Sequence, residues 1–490
     1  MINPKDADSY RLRQEAFVSN LSGTSMAELL LVSTPIPLGL WLLSEAKAQS
    51  RSQLSAVANF ILETLLILFP CLASMVWPGV TILVLISMVF ACASYRLKRF
   101  SVRSRRPKTT TSASGHSSSA DGSTMDFALE DVEPSHSRVA DPVSNFRASL
   151  MVMTCISILA VDFQVFPRRF AKTEMFGTGL MDLGVGVTVF ASGLASGYRA
   201  RRRSAGERVG YHAWRTVFGD TCSAVVRGWP LAALGVSRLV VIKALGYQEH
   251  VSEYGVHWNF FATLFCMRLL VIPMTRLLPS RQALCLAFLS LLLYQGMLSA
   301  GLSDFILHAP RETLFSMNRE GVLGIIGFLT IYFIAEELGT QIRAHRYQHQ
   351  KEREPARRYR WNSLVRLGWA NVILWGLTLL SDGLVQPISR RMMNLSYVLW
   401  VSAHSAFVLT MLMVVDGLSS RPQPSQILTA VNMNMFPVFM VANLATGAVN
   451  VSMRTLEADS VTAVTILVIY IASVSVVAIT LANLKIVIRV

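Results

Sequence analysis

The chain has 490 residues, 52% of them hydrophobic and only 15% charged, with a mean hydropathy of +0.45. That balance excludes an ordinary soluble globular domain. A formal net charge of +15 would suit a nucleic-acid binder, but the basic residues sit in short loops between apolar stretches and not on a soluble surface, so nucleic acid is set aside as a partner.

Apolar stretches near the roughly 20 residues needed to cross a bilayer fall, in chain order, at 26–43, 56–77, 79–95, 148–165, 178–198, 222–245, 258–278, 282–300, 322–342, 361–381, 394–416, 428–450 and 461–484. In lipid each backbone polar group must pair within its own segment, so all are predicted to be helices. The expected fold is all-α, a polytopic transmembrane helical bundle of about 13 spans. The chain divides into an N-terminal segment (1–25), three spans (26–95), a long loop (96–147) and the remaining ten spans (148–490). The opening MINPKDADSYRLRQE is polar, so no cleavable signal peptide is expected.

Topology explains the positive charge. The loops at 96–147, 199–217 and 343–360 hold nine, six and seven Lys or Arg, together 22 of the 45 in the chain. The positive-inside rule then places these loops and the C-terminus in the cytosol, with the N-terminus on the far side. Within the first of them, the Ser- and Thr-rich stretch 104–124 cannot bury apolar area and is expected to be disordered. The six cysteines fall in apolar segments without a CxxC pair and signal neither a disulfide nor a thiolate nucleophile.

The informative strings lie at the ends of the spans. AFVSNLSGTS (16–25) precedes the first. VDFQVFPRRFAKTEMFGTG and MDLGVG (161–186) bridge the fourth and fifth, and GYQEHVSEYGVHWNFF (246–261) bridges the sixth and seventh. NREG (318–321) precedes the ninth, SRRMMNL (389–395) precedes the eleventh, and NLATGAVN (443–450) ends the twelfth. All fall on the side away from the basic loops, as the parts of one composite site would.

In that order these strings resemble the inositol acyltransferases of glycosylphosphatidylinositol (GPI) anchor biosynthesis, the PIG-W type that includes the GPI-anchored wall protein transfer proteins. The resemblance runs from residue 16 to beyond 440, and leaves out the Ser-rich insert and most of the C-terminal spans. It implies a multi-pass enzyme of the endoplasmic reticulum membrane, with a lumenal N-terminus. The enzyme would move a fatty acyl chain, typically palmitoyl, from acyl-CoA (palmitoyl-CoA) to the inositol 2-hydroxyl of glucosaminyl-phosphatidylinositol.

Such a transfer needs a base for the hydroxyl proton and a donor for the developing oxyanion. Asp162, flanked by Val161 and Phe163, is a candidate base if desolvation raises its pKa; the alternative is an ion pair with Arg168 or Lys172 that ties off a helix end. Lys172 is a candidate for stabilising the oxyanion or orienting Asp162. Arg168 and Arg169 suit a lipid phosphate, or lie at the interface as snorkelling side chains. His257 is a second candidate base or donor, or else an interfacial histidine. It shares a helical face with Glu249 and Glu253, beside His250 and Tyr254. That cluster could bind metal, but Gly246, Gly255 and the absence of HExxH argue against it, and no metal is expected.

Trp258 and Asn259 complete the candidate acceptor surface. Arg238, Lys243 and Arg268 are candidate partners for the phosphates of coenzyme A, or structural partners of a buried carboxylate. Arg390, Arg391 and Asn394 are candidates for lining the path of the lipid, and Asp182 is expected to serve helix packing. Membrane lipids surround all of these. A transporter would show a repeat in its halves, and none is evident. A scaffold would not need acid and base groups at one face, and the long motifs are not those of an MBOAT-type acyltransferase.

Overall fold

The computed structural model describes residues 10, 12–14, 16–17, 19, 21–49, 54–104, 141–199, 211–245, 251–352, 356–419 and 423–488, and within them all side chains except those of 95–104, 211–216, 241–245, 251–252 and 344–360. Residues 105–140, most of the Ser-rich stretch, lie outside the described residues, as do Glu249 and His250; the side chain of Lys243 does also. Among the described residues no strand forms beyond one isolated bridge, Gly23 with Thr178.

The helices are α1 (Met26–Val32), α2 (Pro35–Gln49), α3 (Ala56–Glu63), α4 (Phe69–Val76), α5 (Pro78–Ser104), α6 (Pro142–Ala160), α7 (Leu183–Arg199), α8 (Tyr211–Leu245), α9 (Val251–Tyr254) and α10 (Phe260–Leu277). They continue with α11 (Ser280–Met297), α12 (Ser303–His308), α13 (Leu314–Met317), α14 (Arg319–Glu352), α15 (Ala356–Leu384), α16 (Leu395–Leu418), α17 (Gln426–Met433), α18 (Met435–Ser452) and α19 (Ser460–Asn483). Each of the thirteen predicted stretches is helical. Among the described residues, ten helical segments are long and apolar enough to cross a membrane, so the chain is an integral membrane protein. The stretches at 79–95, 178–198 and 222–245 are not among the ten. Of these, α7 has 17 residues, while α5 and α8 have 27 and 35, part of each lying outside the residues whose side chains are described.

Packing centres on α16, where Val398, Trp400, Val401, Ala403 and Ala406 are fully buried. Beside it α7 and α14 lie in backbone contact. A Cβ on Gly197 would stand 2.0 Å from the Glu336 carbonyl, and one on Gly339 would stand 2.3 Å from that of Leu194. Small residues let the two helices approach this closely, so α7 is held rigidly and its first turn can support a site.

The difference that matters most is at the fourth and fifth spans. α6 ends at Ala160, short of the predicted 165, and α7 starts at Leu183, past the predicted 178. Asp162 and Asp182 therefore both lie in a connection outside the spans. Several motif residues are helix N-caps at this end. Ser25, Asn259 and Asn394 accept from the backbone N–H of Glu28, Ala262 and Tyr397, each satisfying a donor the helix itself leaves free.

Candidate functional site

The connection 161–182 is folded by its own side chains. Phe163, Phe166 and Phe170 are fully buried, a gain of about 1.5–3 kcal/mol each. The Arg168 Nη2 donates to the carbonyls of Val161 (2.9 Å), Phe166 (3.0 Å) and Phe163 (3.3 Å), drawing them round the guanidinium, which lies 3.7 Å over the Phe17 ring. Backbone bonds then bring in the other motifs. Thr24 N–H donates to Thr178 O (2.7 Å), Glu174 N–H to Leu21 O (3.1 Å), Gly177 N–H to Ile388 O (2.9 Å) and Val256 N–H to Met317 O (2.9 Å). Gly177 at φ 119° and Gly255 at φ 111° adopt the left-handed turns these contacts require. These bonds join the N-terminal segment, the connection and Ile388 to one another, and Val256 to Met317 beside them.

A charged lattice fills the junction. The buried Asp182 carboxylate accepts from Thr173 N–H (3.1 Å), Thr173 Oγ1 (2.9 Å), Gly179 N–H (2.8 Å) and Arg390 Nε (2.8 Å). Arg390 also lies 3.9 Å from Glu253, whose two oxygens both take Lys172 Nζ at 2.7 Å. Burial works against the charge on Glu253, but Lys172 and Arg390 together outweigh it and hold the carboxyl down at about 2, with Arg238 adding to the effect. Burial likewise opposes the charge on Arg390, and Asp182 and Glu253 overcome it, holding this guanidinium cationic. Next to this lattice Glu320 receives Arg391 at 3.2 Å and Arg311, and the fully buried Arg319 donates to the carbonyls of Ile306 (2.9 Å) and Ala309 (2.7 Å).

Asp162 stands apart from that lattice. Its Oδ2 accepts from Asn450 Nδ2 at 2.8 Å. Burial lifts its carboxyl from the ordinary 3.8 to about 6, against the hydrogen bond from Asn450 and the nearby Arg168 charge. Burial brings Arg168 down to about 10, partly offset by Asp162, so it stays cationic at neutral pH. Arg168 Nη1 and Asn450 Oδ1 are both buried without a hydrogen-bond partner. The Asn450 amide thus sits beside a carboxyl that burial lifts toward neutrality, with the Arg168 charge acting on it. Buried polar atoms of this kind are costly unless something else completes them.

The sequence candidates are distributed as follows. Asp162 and Arg168 come together, while Lys172 reaches Glu253 and forms no hydrogen bond or ion pair with Asp162. Arg169 makes a bidentate pair with Glu28 (2.9 and 3.0 Å). His257 is exposed, and its backbone N–H donates to Asn318 Oδ1 (2.8 Å). Trp258 donates to Thr263 (2.9 Å) against Gly321, and Asn259 donates to Gly235 O (2.9 Å). Arg390 is in the lattice, and Arg391 pairs with Glu320 next to it. Asn394 is fully buried, its amide occupied by Pro387 O (2.8 Å) and the cap of α16. Arg238 is exposed on α8 and Arg268 half-buried on α10. Asp182, read from sequence as a packing residue, is instead the anchor of Arg390. Glu253 and Glu320 were available in the EYGVHWNFF and NREG strings, and Asn450 at the end of NLATGAVN, but nothing local to them signals a partner.

The family model described as GWT1 matches residues 10–481. The chain belongs to the GWT1 family. Proteins named GPI-anchored wall transfer protein 1 are similar to it along nearly their whole length. That of Aspergillus oryzae is 35% identical, with 97% of this chain and 99% of the relative covered. That of Candida glabrata is 31% identical, with 98% and 99% covered. An Arabidopsis thaliana protein described as uncharacterized is 38% identical, covering 67% of this chain and 70% of its own. The resemblance read from the motifs is thus confirmed at the level of the family, and the GWT1 match spans every segment of the junction described above.

Proposed function

We propose that this GWT1-family protein acts in GPI-anchor biosynthesis in the endoplasmic reticulum membrane, transferring a palmitoyl chain from acyl-CoA to the inositol 2-hydroxyl of glucosaminyl-phosphatidylinositol. The observation that carries this reading is the Asp162 carboxyl, lifted by burial to about 6 and held by Asn450, under the charge of Arg168, whose Nη1 is buried without a partner. The inositol O–H donates its proton to Asp162 while its oxygen attacks the thioester carbonyl carbon. The resulting oxyanion accepts from Arg168 Nη1. Collapse expels the thiolate of coenzyme A, which takes the proton from Asp162, leaving an ester and a free thiol.

In this account Asn450 orients the base, and the Asp182–Arg390–Glu253–Lys172 lattice fixes the loops around it. Within that lattice of paired charges, Arg390 and Lys172 are the candidates for the acceptor's phosphate. Arg238, Lys243 and Arg268 are assigned to the donor's phosphates. The motif face is lumenal and the basic loops are cytosolic. The test is incubation of purified protein with labelled palmitoyl-CoA and glucosaminyl-phosphatidylinositol. The product should carry label as an alkali-labile ester and should resist a phospholipase C that needs the inositol 2-hydroxyl as nucleophile. A labelled product still cleaved by that enzyme would refute the assignment to the 2-hydroxyl.

A further inference from the structure

Beside the junction lies a cavity of about 410 Å³, bounded by Thr24, Ser25, Phe176, Thr178, Asp382 and Ile388 among others. Its size falls within the roughly 300–1,000 Å³ of small-molecule sites. Three features define what it can hold. Asp382 at the end of α15 accepts from Ile388 N–H through Oδ1 (2.9 Å), and its Oδ2 has no partner among the described residues. The hydroxyls of the N-terminal motif and of Thr178 border it, and the half-exposed Phe176 presents an aromatic surface. No Lys or Arg is among its lining residues, although cations crowd the neighbouring lattice.

A carboxylate without a cation repels phosphates, so the cavity does not suit coenzyme A. A carboxylate, hydroxyls and an aromatic face together suit a sugar that carries an ammonium group. The cavity is also connected to the proposed reaction centre. Thr24 donates to Glu28, Glu28 holds Arg169, and the charge of the preceding residue, Arg168, acts on Asp162. We propose that this cavity binds the amino sugar of the acceptor lipid, with Asp382 Oδ2 taking its ammonium and Phe176 stacking on the ring. The proposal rests on glucosaminyl-phosphatidylinositol being the acceptor, and it makes Asp382 the residue that selects an amino sugar over its N-acetylated form.

The test is binding to the full-length protein in detergent, so it does not depend on turnover. The probes are the deacylated glucosaminyl-inositol phosphate headgroup, its N-acetyl form and glycerophosphoethanolamine. The free-amine sugar should bind about 10- to 100-fold more tightly than the N-acetyl form, and Asp382→Asn, which keeps the acceptor for Ile388 N–H, should abolish that preference. Phe176→Ala, which removes a half-exposed ring, should weaken both sugars equally. It serves as the measure should Asp382→Asn fold poorly. Equal binding of the two sugars by the wild type, an undiminished preference in Asp382→Asn, or unchanged binding by Phe176→Ala would each overturn the proposal. So would binding of glycerophosphoethanolamine as tight as that of the sugar, since the site would then read an ammonium alone. Loss of the sugar preference with acyl transfer intact counts against this site only; absence of acyl transfer with the preference intact counts against the reaction only.

Discussion

Lys172 Nζ sits 2.7 Å from both carboxylate oxygens of Glu253, and so is tied to a segment 81 residues away and not to Asp162, ten residues before it. The pair divides the motif face into two parts: a lattice of matched charges, and a separate proton acceptor. Removing one member leaves the other charge half-buried and uncompensated. Glu253→Gln is expected to lower stability by about 2–4 kcal/mol. In a double-mutant cycle with Lys172→Met the coupling should be on the order of 0.5–3 kcal/mol. Additive effects would mean that the pair does not hold the loops together.

The second prediction concerns pH. A base must be ionised to act, so kcat/KM should rise with pH along a limb centred at about 6, the level to which burial lifts Asp162. The same shift fixes the sign of its effect on stability. Because the folded pKa lies above the unfolded one, protonated Asp162 favours the folded state. That contribution is complete below the ordinary 3.8 and is lost as pH rises through about 6. Asp162→Asn should therefore melt at a higher temperature than wild type above pH 6, with the two converging in acid. A variant that melts lower than wild type at pH 7.5 would show that the ionised carboxylate is structurally required.

Asn450 supplies a third prediction. Its amide donates to Asp162 and helps keep the carboxylate ionised. Asn450→Ala removes that bond, so the acid limb should move to higher pH and activity at pH 6 should fall more than at pH 8. A uniform fall at all pH values would assign Asn450 to packing alone.

Gly255 offers a test of the scaffold. At φ 111° an alanine is strained, and its Cβ would stand 2.5 Å from the Met317 carbonyl that Val256 N–H binds. Gly255→Ala should cost at least about 1–3 kcal/mol and should loosen the bond between His257 N–H and Asn318. Wild-type melting behaviour would contradict that close contact.

The sequence made some of this legible and hid the rest, for physical reasons. Apolar runs near 20 residues announce helices whatever surrounds them, and all thirteen stretches are helical. Span status also depends on length, which is why α7, at 17 residues, falls short. The caps Asn259 and Asn394 were readable as residues before apolar runs, and the motif strings did gather at one end. Partners were not readable. Asp182 and Arg390 are separated by 208 positions, and Asp162 and Asn450 by 288. Only packing of α7 against α16, and of α6 against α18, brings them together. Lys172 illustrates the converse, since proximity in sequence to Asp162 was no guide to its contact.

The central claim is that this face transfers an acyl group with Asp162 as the base. The most direct measurement is the single-turnover rate of labelled palmitoyl transfer from palmitoyl-CoA to glucosaminyl-phosphatidylinositol, for purified wild type and Asp162→Asn at pH 7.5. Wild type should form acyl-inositol product, and the variant, equally folded, should be slower by about 10²–10⁴-fold. Absence of product from folded wild type, or a variant as fast as wild type, would contradict the account.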